Sequence, residues 1–327
     1  MKTLPFDPKN VEQKILSGNP VVLARAITLC ESQKASDKKK AEDLLQRLLP
    51  HTGRSLRVGI TGAPGVGKST FIEVLGKHLT SLGKKIAVLA IDPSSEKTKG
   101  SILGDKTRME ELAKDPLAFI RPTATNQKLG GVADHTRDAI LLCEAAGFEI
   151  ILVETVGVGQ SETAVRNMVD FFLLLQLAGA GDELQGIKKG IMEMADGIVI
   201  TKADGENEKR ARQAQTEYQH ALHLFQLADS GWQPKVLTTS AFEKRGIEDV
   251  WKMIESFQDS SIKNKFFQKN REQQNLLWFH ENVDQLLKSK ILKSKAALSK
   301  VKSLEKKIAE GKITPSRAAT EMVKSLI

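Results

Sequence analysis

The residues from Gly62 to Thr70 read GAPGVGKST and have the types and spacing of a phosphate-binding loop. Glycines let the backbone turn tightly and point consecutive N–H groups at phosphate oxygens. Lys68 supplies a positive charge for the β- and γ-phosphates, and the Ser69 hydroxyl can ligate Mg²⁺. An apolar run precedes the loop and a helix-like pattern follows it, as this motif requires, whereas a chance glycine-rich turn would need neither. We therefore predict a nucleoside triphosphate site. Its contacts in this loop are predicted to be Gly62, Ala63, Pro64, Gly65, Val66, Gly67, Lys68, Ser69 and Thr70.

Carboxylates end two apolar runs of the sequence and suggest a metal site. Asp92 ends one run and Glu154 the other, where GTPases usually carry aspartate; a glutamate keeps the charge and reach to serve a hydrated metal. Asp105 is a third candidate. The alternatives are that Asp92 begins a turn and that Asp105 caps the helix after it. We predict Ser69, Asp92, Asp105 and Glu154 as Mg²⁺ ligands, and Lys68, Glu154 and Asp105 as catalytic residues.

A second motif, Thr201-Lys-Ala-Asp204, follows another apolar run and points to the base. One carboxylate accepts both the N1–H and N2–H₂ groups of guanine, and adenine lacks that donor pair. Asp204 therefore favours GTP over ATP, with the stem of Lys202 packing along the base. The first residue of this motif is usually asparagine, and here it is Thr201. Ser240 and Ala241 fit a further loop that contacts the base.

Seven apolar runs must position these residues, and helix-like patterns lie between most of them. Runs that are apolar throughout, rather than alternating, are typical of parallel strands buried on both faces. Ligands of such sheets bind beyond the carboxyl ends of the strands, where the candidate residues fall. We predict an α/β fold of the P-loop NTPase type, with a mostly parallel central sheet flanked by helices. The predicted strands are 56–61, 86–91, 118–121, 149–154, 171–177, 197–201 and 235–239.

Composition limits the classes of function. The chain has 327 residues, more than one average domain, so we expect one large α/β domain with smaller helical additions. Its hydrophobic content of 40% and charged content of 27% are ordinary for a globular protein. We expect no secretory signal and no membrane span, and a cytoplasmic protein whose two cysteines are reduced. Residues 261–327 carry 15 Lys and Arg against 6 Asp and Glu, which accounts for the whole net charge of +9. Because these lysines lie on the polar side of helical patterns without interleaved aromatics, we expect no nucleic-acid partner.

The two ends of the chain are helical in pattern. We predict a helical extension over residues 1–50, the GTPase domain over 51–260 and a helical arm over 261–327. One long helix is predicted over 270–310, and a short one after the Thr314-Pro315 pair, where threonine caps and proline occupies the first turn. An extended arm cannot bury its apolar stripe alone, so we predict a homodimer through it. Packing against the N-terminal helices is the alternative.

Longer strings outside these motifs resemble the MeaB/ArgK family of GTPases, which are chaperones of adenosylcobalamin-dependent methylmalonyl-CoA mutase. The resemblance runs from about residue 21 to beyond residue 251. Besides the phosphate loop it rests on the strings that begin at Leu129 (LGG), Leu142 (LCEAAGF), Val153 (VETVGVGQSE) and Gly179 (GAGDELQGIKKGI).

This resemblance implies a homodimeric GTPase that binds GTP or GDP with Mg²⁺ held by Ser69, Asp92, Asp105 and Glu154. It also implies that residues 176–190 form an extra switch that couples the nucleotide to an adenosylcobalamin-dependent acyl-CoA mutase. GTP hydrolysis would then gate the loading and protection of the mutase's cobalamin cofactor.

Two other functions compete with this one. A P-loop kinase would phosphorylate a small molecule or a transport protein, and it would normally use ATP, against which Asp204 argues. A metal-inserting GTPase would carry a cluster of Cys and His residues, which the sequence lacks.

Overall fold

A computed structural model describes residues 7–32, 34–92, 109–124, 129–155, 161–179, 189–225, 229–293 and 295–325. The chain forms two compact units, Met1–Gln268 and Lys269–Ile327. The division into residues 1–50, 51–260 and 261–327 stays a prediction.

The first unit is built on a sheet of seven strands, counted over the described residues, which are all parallel. Their order across the sheet is β3-β2-β4-β1-β5-β6-β7. The mostly parallel sheet predicted from the sequence is therefore confirmed. The strands are β1 (Leu56–Gly62), β2 (Ile86–Asp92), β3 (Ala118–Ala124), β4 (Ile150–Thr155), β5 (Phe171–Leu177), β6 (Gly197–Thr201) and β7 (Lys235–Thr238).

Both faces of the sheet are buried, which explains the uninterrupted apolar runs. In β4, Ile150 and Leu152 belong to the core on one face, whereas Ile151 and Val153 belong to the core on the other. Side chains of a strand alternate between faces, so a strand covered on both sides needs an apolar residue at every position.

β3 extends three residues beyond its predicted end at Arg121, through Pro122 to Ala124. Proline has no N–H to donate to a ladder and is confined to edge strands. β3 lies at the edge of the sheet, so its ladder to β2 continues past the proline.

Helices cover both faces of the sheet. On one face lie the N-terminal helices α1 to α3 and α6, and on the other α4 and α10. Within the described residues the helices of this unit are α1 (Pro8–Leu16), α2 (Pro20–Cys30), α3 (Ala35–Leu48), α4 (Lys68–Ser81), α5 (Glu110–Ala113), α6 (Leu129–Ala145), α7 (Ser161–Arg166), α8 (Lys189–Met194), α9 (Glu208–Leu222) and α10 (Ile247–Lys263).

The helices of the remaining sequence are α11 (Phe266–Lys293), α12 (Lys295–Ala309) and α13 (Pro315–Lys324). The single helix predicted over 270–310 is thus assigned as two, on either side of residue 294, which lies outside the described residues. Thr314 caps α13 as predicted, since its hydroxyl accepts from the Arg317 N–H at 3.4 Å. Among the described helices of the chain, none is long and apolar enough to cross a membrane.

Candidate nucleotide-binding site

The phosphate-binding loop joins the central strand β1 to α4. Gly65 and Gly67 have φ values of +81° and +97°, in the left-handed region that favours glycine. At Gly62 a Cβ atom would lie 2.5 Å from the carbonyl oxygen of Leu175, so the loop also needs glycine where it leaves the strand. α4 begins at Lys68, and its free N–H groups add a positive dipole end to the loop.

Lys68 lies inside this loop and is 9% exposed. Its ammonium group donates to the carbonyl oxygens of Gly62 and Ala63, at 2.8 and 3.2 Å. Burial lowers the pKa of Lys68 from its usual value, and the nearby carboxylates of Glu154 and Glu162 oppose that shift. A cation held in this way is placed to exchange carbonyl oxygens for phosphate oxygens.

The predicted metal ligands Ser69 and Glu154 lie together. The Ser69 hydroxyl donates to the Glu154 carboxylate at 3.1 Å, and Glu154 is 4% exposed. The sheet causes this contact, because β4 pairs with β1 so that Glu154 lies beside Ile60 just before the phosphate-binding loop. A hydroxyl and a carboxylate are oxygen ligands of the type Mg²⁺ takes when phosphates and waters complete its octahedron. The donor set therefore fits Mg²⁺.

The structure does not describe the side chains of the other two predicted metal ligands. Asp92 ends β2, the strand next to β4, but its side chain is not described. Asp105 lies outside the described residues, as do residues 180–188, which are most of the predicted extra switch. In the described parts of the chain, no group of three His, Cys, Asp or Glu residues has the geometry to hold a metal.

The residues predicted to contact the base lie at the ends of β6 and β7. The Ser240 hydroxyl donates to the Asp204 carboxylate at 2.6 Å, which orients that carboxylate. Lys202 has a left-handed backbone with φ of +55°, and its ammonium group donates to the carbonyl oxygen of Gly65 at 2.9 Å. Lys202 thus links the base motif to the phosphate-binding loop. Of the other predicted contacts, Ala241 follows Ser240 in its loop, and Pro64 and Thr70 are exposed.

Thr201 makes a contact that the sequence did not reveal. Its hydroxyl lies 2.7 Å from the carbonyl oxygen of Val66 and 3.2 Å from that of Gln176, and the residue is 5% exposed. A hydroxyl has one proton, so the shorter contact to Val66 is the principal bond. Thr201 therefore ties the base motif to the phosphate-binding loop. The only signal in the sequence was that threonine stands where asparagine is usual.

The loop that follows β7 is held by hydrogen bonds within the loop and by one hydrogen bond to the base motif. Ser240 and Arg245 exchange backbone hydrogen bonds, each of 3.0 Å, and the Glu243 N–H donates to the Ser240 hydroxyl at 3.0 Å. The Arg245 guanidinium donates to the carbonyl oxygen of Ala203 at 2.5 Å. Gly246 ends the loop with φ of +76°, where a Cβ atom would collide with a backbone carbonyl. Such a loop holds Ser240 in place.

Buried charges lie at the opposite, amino-terminal ends of the strands. The Glu144 carboxylate, 1% exposed, accepts from the Arg57 guanidinium at 2.8 Å and from the Gly53 N–H at 2.7 Å. Asp196, directly before β6, pairs with Arg166 at 3.0 Å, and burial raises its pKa to about 6 although Arg166 opposes the shift. These groups are remote from the nucleotide site and hold the ends of the strands together.

Comparisons with known proteins identify the family of this chain. The model of the family described as methylmalonyl-CoA mutase-associated GTPase MeaB matches residues 23–296. A probable GTPase of Mycobacterium tuberculosis is 49% identical over 94% of this chain and 92% of its own length. The GTPase ArgK of Escherichia coli is 48% identical, with coverage of 84% and 82%.

A mouse protein described as methylmalonic aciduria type A homolog, mitochondrial, is 44% identical, with coverage of 95% and 77%. Among solved structures, one described as a LAO/AO transport system kinase superposes with a TM-score of 0.80 at 35% identity, covering 99% of both chains. The chain therefore belongs to the MeaB family of GTPases.

Proposed function

We propose that this GTPase binds GTP with Mg²⁺ at the carboxyl ends of β1, β4, β6 and β7. Hydrolysis of the bound GTP then gates the loading and protection of the cobalamin cofactor of an adenosylcobalamin-dependent acyl-CoA mutase. The observation that carries the nucleotide site is the contact between Ser69 and Glu154 at 3.1 Å, beside the buried Lys68. It brings a cation for phosphate and two oxygen ligands for a metal to one place.

In this proposal Ser69 and Glu154 hold the magnesium ion, with Asp92 and Asp105 as further ligands. When bound, Mg²⁺ neutralises negative charge on the β- and γ-phosphates. The chain itself contributes the N–H groups of the phosphate-binding loop and the ammonium group of Lys68, which positions the phosphates. Lys68, Glu154 and Asp105 are the proposed catalytic residues.

Guanine is the base that best suits the second half of the site. The Asp204 carboxylate, oriented by Ser240 at 2.6 Å, accepts the two donors of the guanine edge. Adenine offers no such donor pair, so the same carboxylate would face an acceptor. Lys202 lies along the base and Ala241 contributes its backbone.

We infer the partner enzyme, an acyl-CoA mutase, from the family description, which names association with methylmalonyl-CoA mutase. We place residues 176–190 as the switch that reports the nucleotide state to the mutase. The protein would act as a homodimer through the helical arm over 261–327, in the cytoplasm.

A kinase acting on a small molecule or a transport protein is the second candidate. It is favoured by the 35% identical structure described as a transport system kinase. A kinase must also bind an acceptor and normally uses ATP, and the predicted contact of Asp204 with guanine argues against ATP.

The deciding experiment measures turnover of GTP and of ATP by the pure protein with Mg²⁺, alone and with an adenosylcobalamin-dependent acyl-CoA mutase. Gating predicts hydrolysis that is selective for GTP, rises when the mutase is added and is lost in Lys68→Ala. Lys209→Ala, at an exposed position of α9, is the matched control and should behave as the unmodified protein. Transfer of phosphate from ATP to an acceptor, without any response to the mutase, would instead establish the kinase.

A further inference from the structure

β3 is an edge strand, and its outer side carries hydrogen-bonding groups that the sheet does not use. Among the described residues it pairs with β2 alone. The carbonyl oxygen of Leu117 accepts from the Ile86 N–H at 2.9 Å, which fixes the register of that ladder. Because successive residues of a strand direct their backbone groups to alternate sides, Phe119 and Arg121 bond toward β2. Ile120, between them, directs its N–H and C=O groups outward.

The neighbours of Ile120 limit what this edge can bind. The Ala118 N–H already donates to the carbonyl oxygen of Asp115 at 3.0 Å, and Pro122 has no N–H. Within the described residues 118–122, Ile120 is therefore the position whose N–H can serve another strand, and carbonyl oxygens flank it on both sides. Proteins add an extended segment of another chain at such an edge, because main-chain hydrogen bonds supply affinity.

A groove of about 450 Å³ lies along this edge. Its lining includes Ala118, Phe119 and Ile120 of β3, with residues of α2 and with Ala113 of α5. α2 and α5 belong to opposite faces of the sheet, so the groove opens at the edge between the two layers. Val21 of α2 also lines it and is 59% exposed. An extended peptide fits this shape, since its main chain can pair with β3 while its side chains contact the helices.

The charge of the groove selects among extended peptides. Its described lining residues include two arginines, Arg25 and Arg121, and no acidic side chain. Arg121 is already paired with Glu31 at 2.7 Å, so Arg25, at an exposed position of α2, gives the groove its charge. A segment with an acidic side chain complements this charge. A second copy of this chain, paired through β3, would bring its own Arg25 to the same edge, and like charges oppose that arrangement.

We infer that β3 and this groove bind an extended, acidic segment of the partner acyl-CoA mutase, which adds to the sheet as a further strand. The identity of the partner rests on the proposed function. None of the lining residues belongs to the phosphate-binding loop or to the base motif. β2, to which β3 pairs, ends at Asp92, which is a proposed magnesium ligand. A mutase segment on β3 therefore lies one strand away from the strand that carries this ligand.

The first test measures the affinity of full-length variants for an adenosylcobalamin-dependent acyl-CoA mutase. Arg25→Glu should weaken binding about tenfold at low salt and less at high salt, because salt screens an exposed charge. Arg25→Lys keeps the charge and should keep the affinity. Arg210→Glu, which reverses another exposed arginine on α9, is the matched control and should bind as the unmodified protein does. Without the mutase, each variant should hydrolyse GTP at the unmodified rate.

The second test addresses the added strand itself. In the complex the Ile120 amide should exchange its hydrogen more slowly than in the free protein, because its N–H gains an acceptor. Val21→Asp, which places a carboxylate in the groove, should weaken binding and abolish this protection. Both substituted positions are exposed, so the melting temperatures of the variants should match that of the unmodified protein.

The outcomes separate the inference from its foundation. If the unmodified protein binds the mutase, but Arg25→Glu and Val21→Asp bind it equally well, the inference is wrong and the proposed partner stands. If the unmodified protein does not bind the mutase with GTP or with GDP, the proposed partner is wrong and the inference fails with it. Weakened binding without slower exchange at Ile120 would show a contact but no added strand, and would overturn the inference. A change in the mass of the free protein in Arg25→Glu would assign the edge to a second copy and also overturn it.

Discussion

Thr201→Val removes the hydroxyl that joins the base motif to the phosphate-binding loop while keeping nearly the same side-chain shape. The carbonyl oxygen of Val66, which accepts that bond at 2.7 Å in a buried position, then loses its donor. Leaving a buried acceptor without its partner costs about 1–3 kcal/mol. Because this bond also holds the phosphate-binding loop against the base motif, its loss lets the nucleotide-free loop leave the binding conformation, and GDP binding must restore that conformation at this cost. A factor of ten corresponds to about 1.4 kcal/mol, so we expect GDP affinity to fall between about fivefold and about a hundredfold.

The assay is the affinity for, and the dissociation rate of, a fluorescent GDP analogue, together with the melting temperature of the nucleotide-free protein. Faster dissociation is expected, since interface changes act mainly on dissociation. Thr201→Asn should preserve binding, because an amide has two N–H donors for the two nearby carbonyl oxygens. Thr216→Val is the matched control: its hydroxyl also bonds a backbone carbonyl, at 3.2 Å, but on an exposed part of α9. A Thr201→Val protein that binds GDP within twofold of the unmodified protein, with an unchanged melting temperature, would refute the reasoning.

Two further predictions concern the buried charges at the other end of the sheet. The pKa of Asp196 is about 6 in the folded protein, whereas that of an unfolded aspartate is about 4, so between these pH values the folded protein binds the proton more tightly. The contribution of Asp196 to the free energy of unfolding therefore falls as the pH rises from about 4 to about 6. Melting curves should therefore show the stability of the unmodified protein falling relative to Asp196→Asn across it, and a constant or growing difference would contradict the assignment. Glu144→Ala leaves the Arg57 guanidinium buried without its carboxylate and should lower the free energy of unfolding in denaturant by about 3 kcal/mol or more. Glu149→Ala, which removes an exposed pair with Lys84, should change it by less than about 1 kcal/mol, and equal effects of the two variants would refute the argument.

The positions of the strands could be predicted from the sequence because the strands are apolar throughout. β5 (Phe171–Leu177) and β6 (Gly197–Thr201) match their predicted bounds, since each is an apolar run that an aspartate directly precedes. The helix cap at Thr314 could likewise be predicted from the sequence, because it depends only on local residues.

Contacts between segments that are distant in the chain could not be predicted from the sequence. The bond from Thr201 to Val66 spans 135 residues and that from Arg57 to Glu144 spans 87. Neither pairing follows from residue types, because it depends on the order of strands in the sheet. The metal roles of Asp92 and Asp105 stay predictions, since the side chain of the first and the whole of the second lie outside the described residues.

The position of β1 in the middle of the sheet has a consequence for the order in which the chain can fold. β1 pairs with β4 and β5, which are made about 90 and 110 residues later. Ribosomes add roughly 5–20 residues per second, so the phosphate-binding segment exists for roughly 5 seconds or more before its flanking strands are synthesised. During that time two apolar strands, β1 and β2, have no strand between them to pair with, and GTP has no assembled site through which to stabilise them. Nucleotide therefore stabilises only a nearly complete domain.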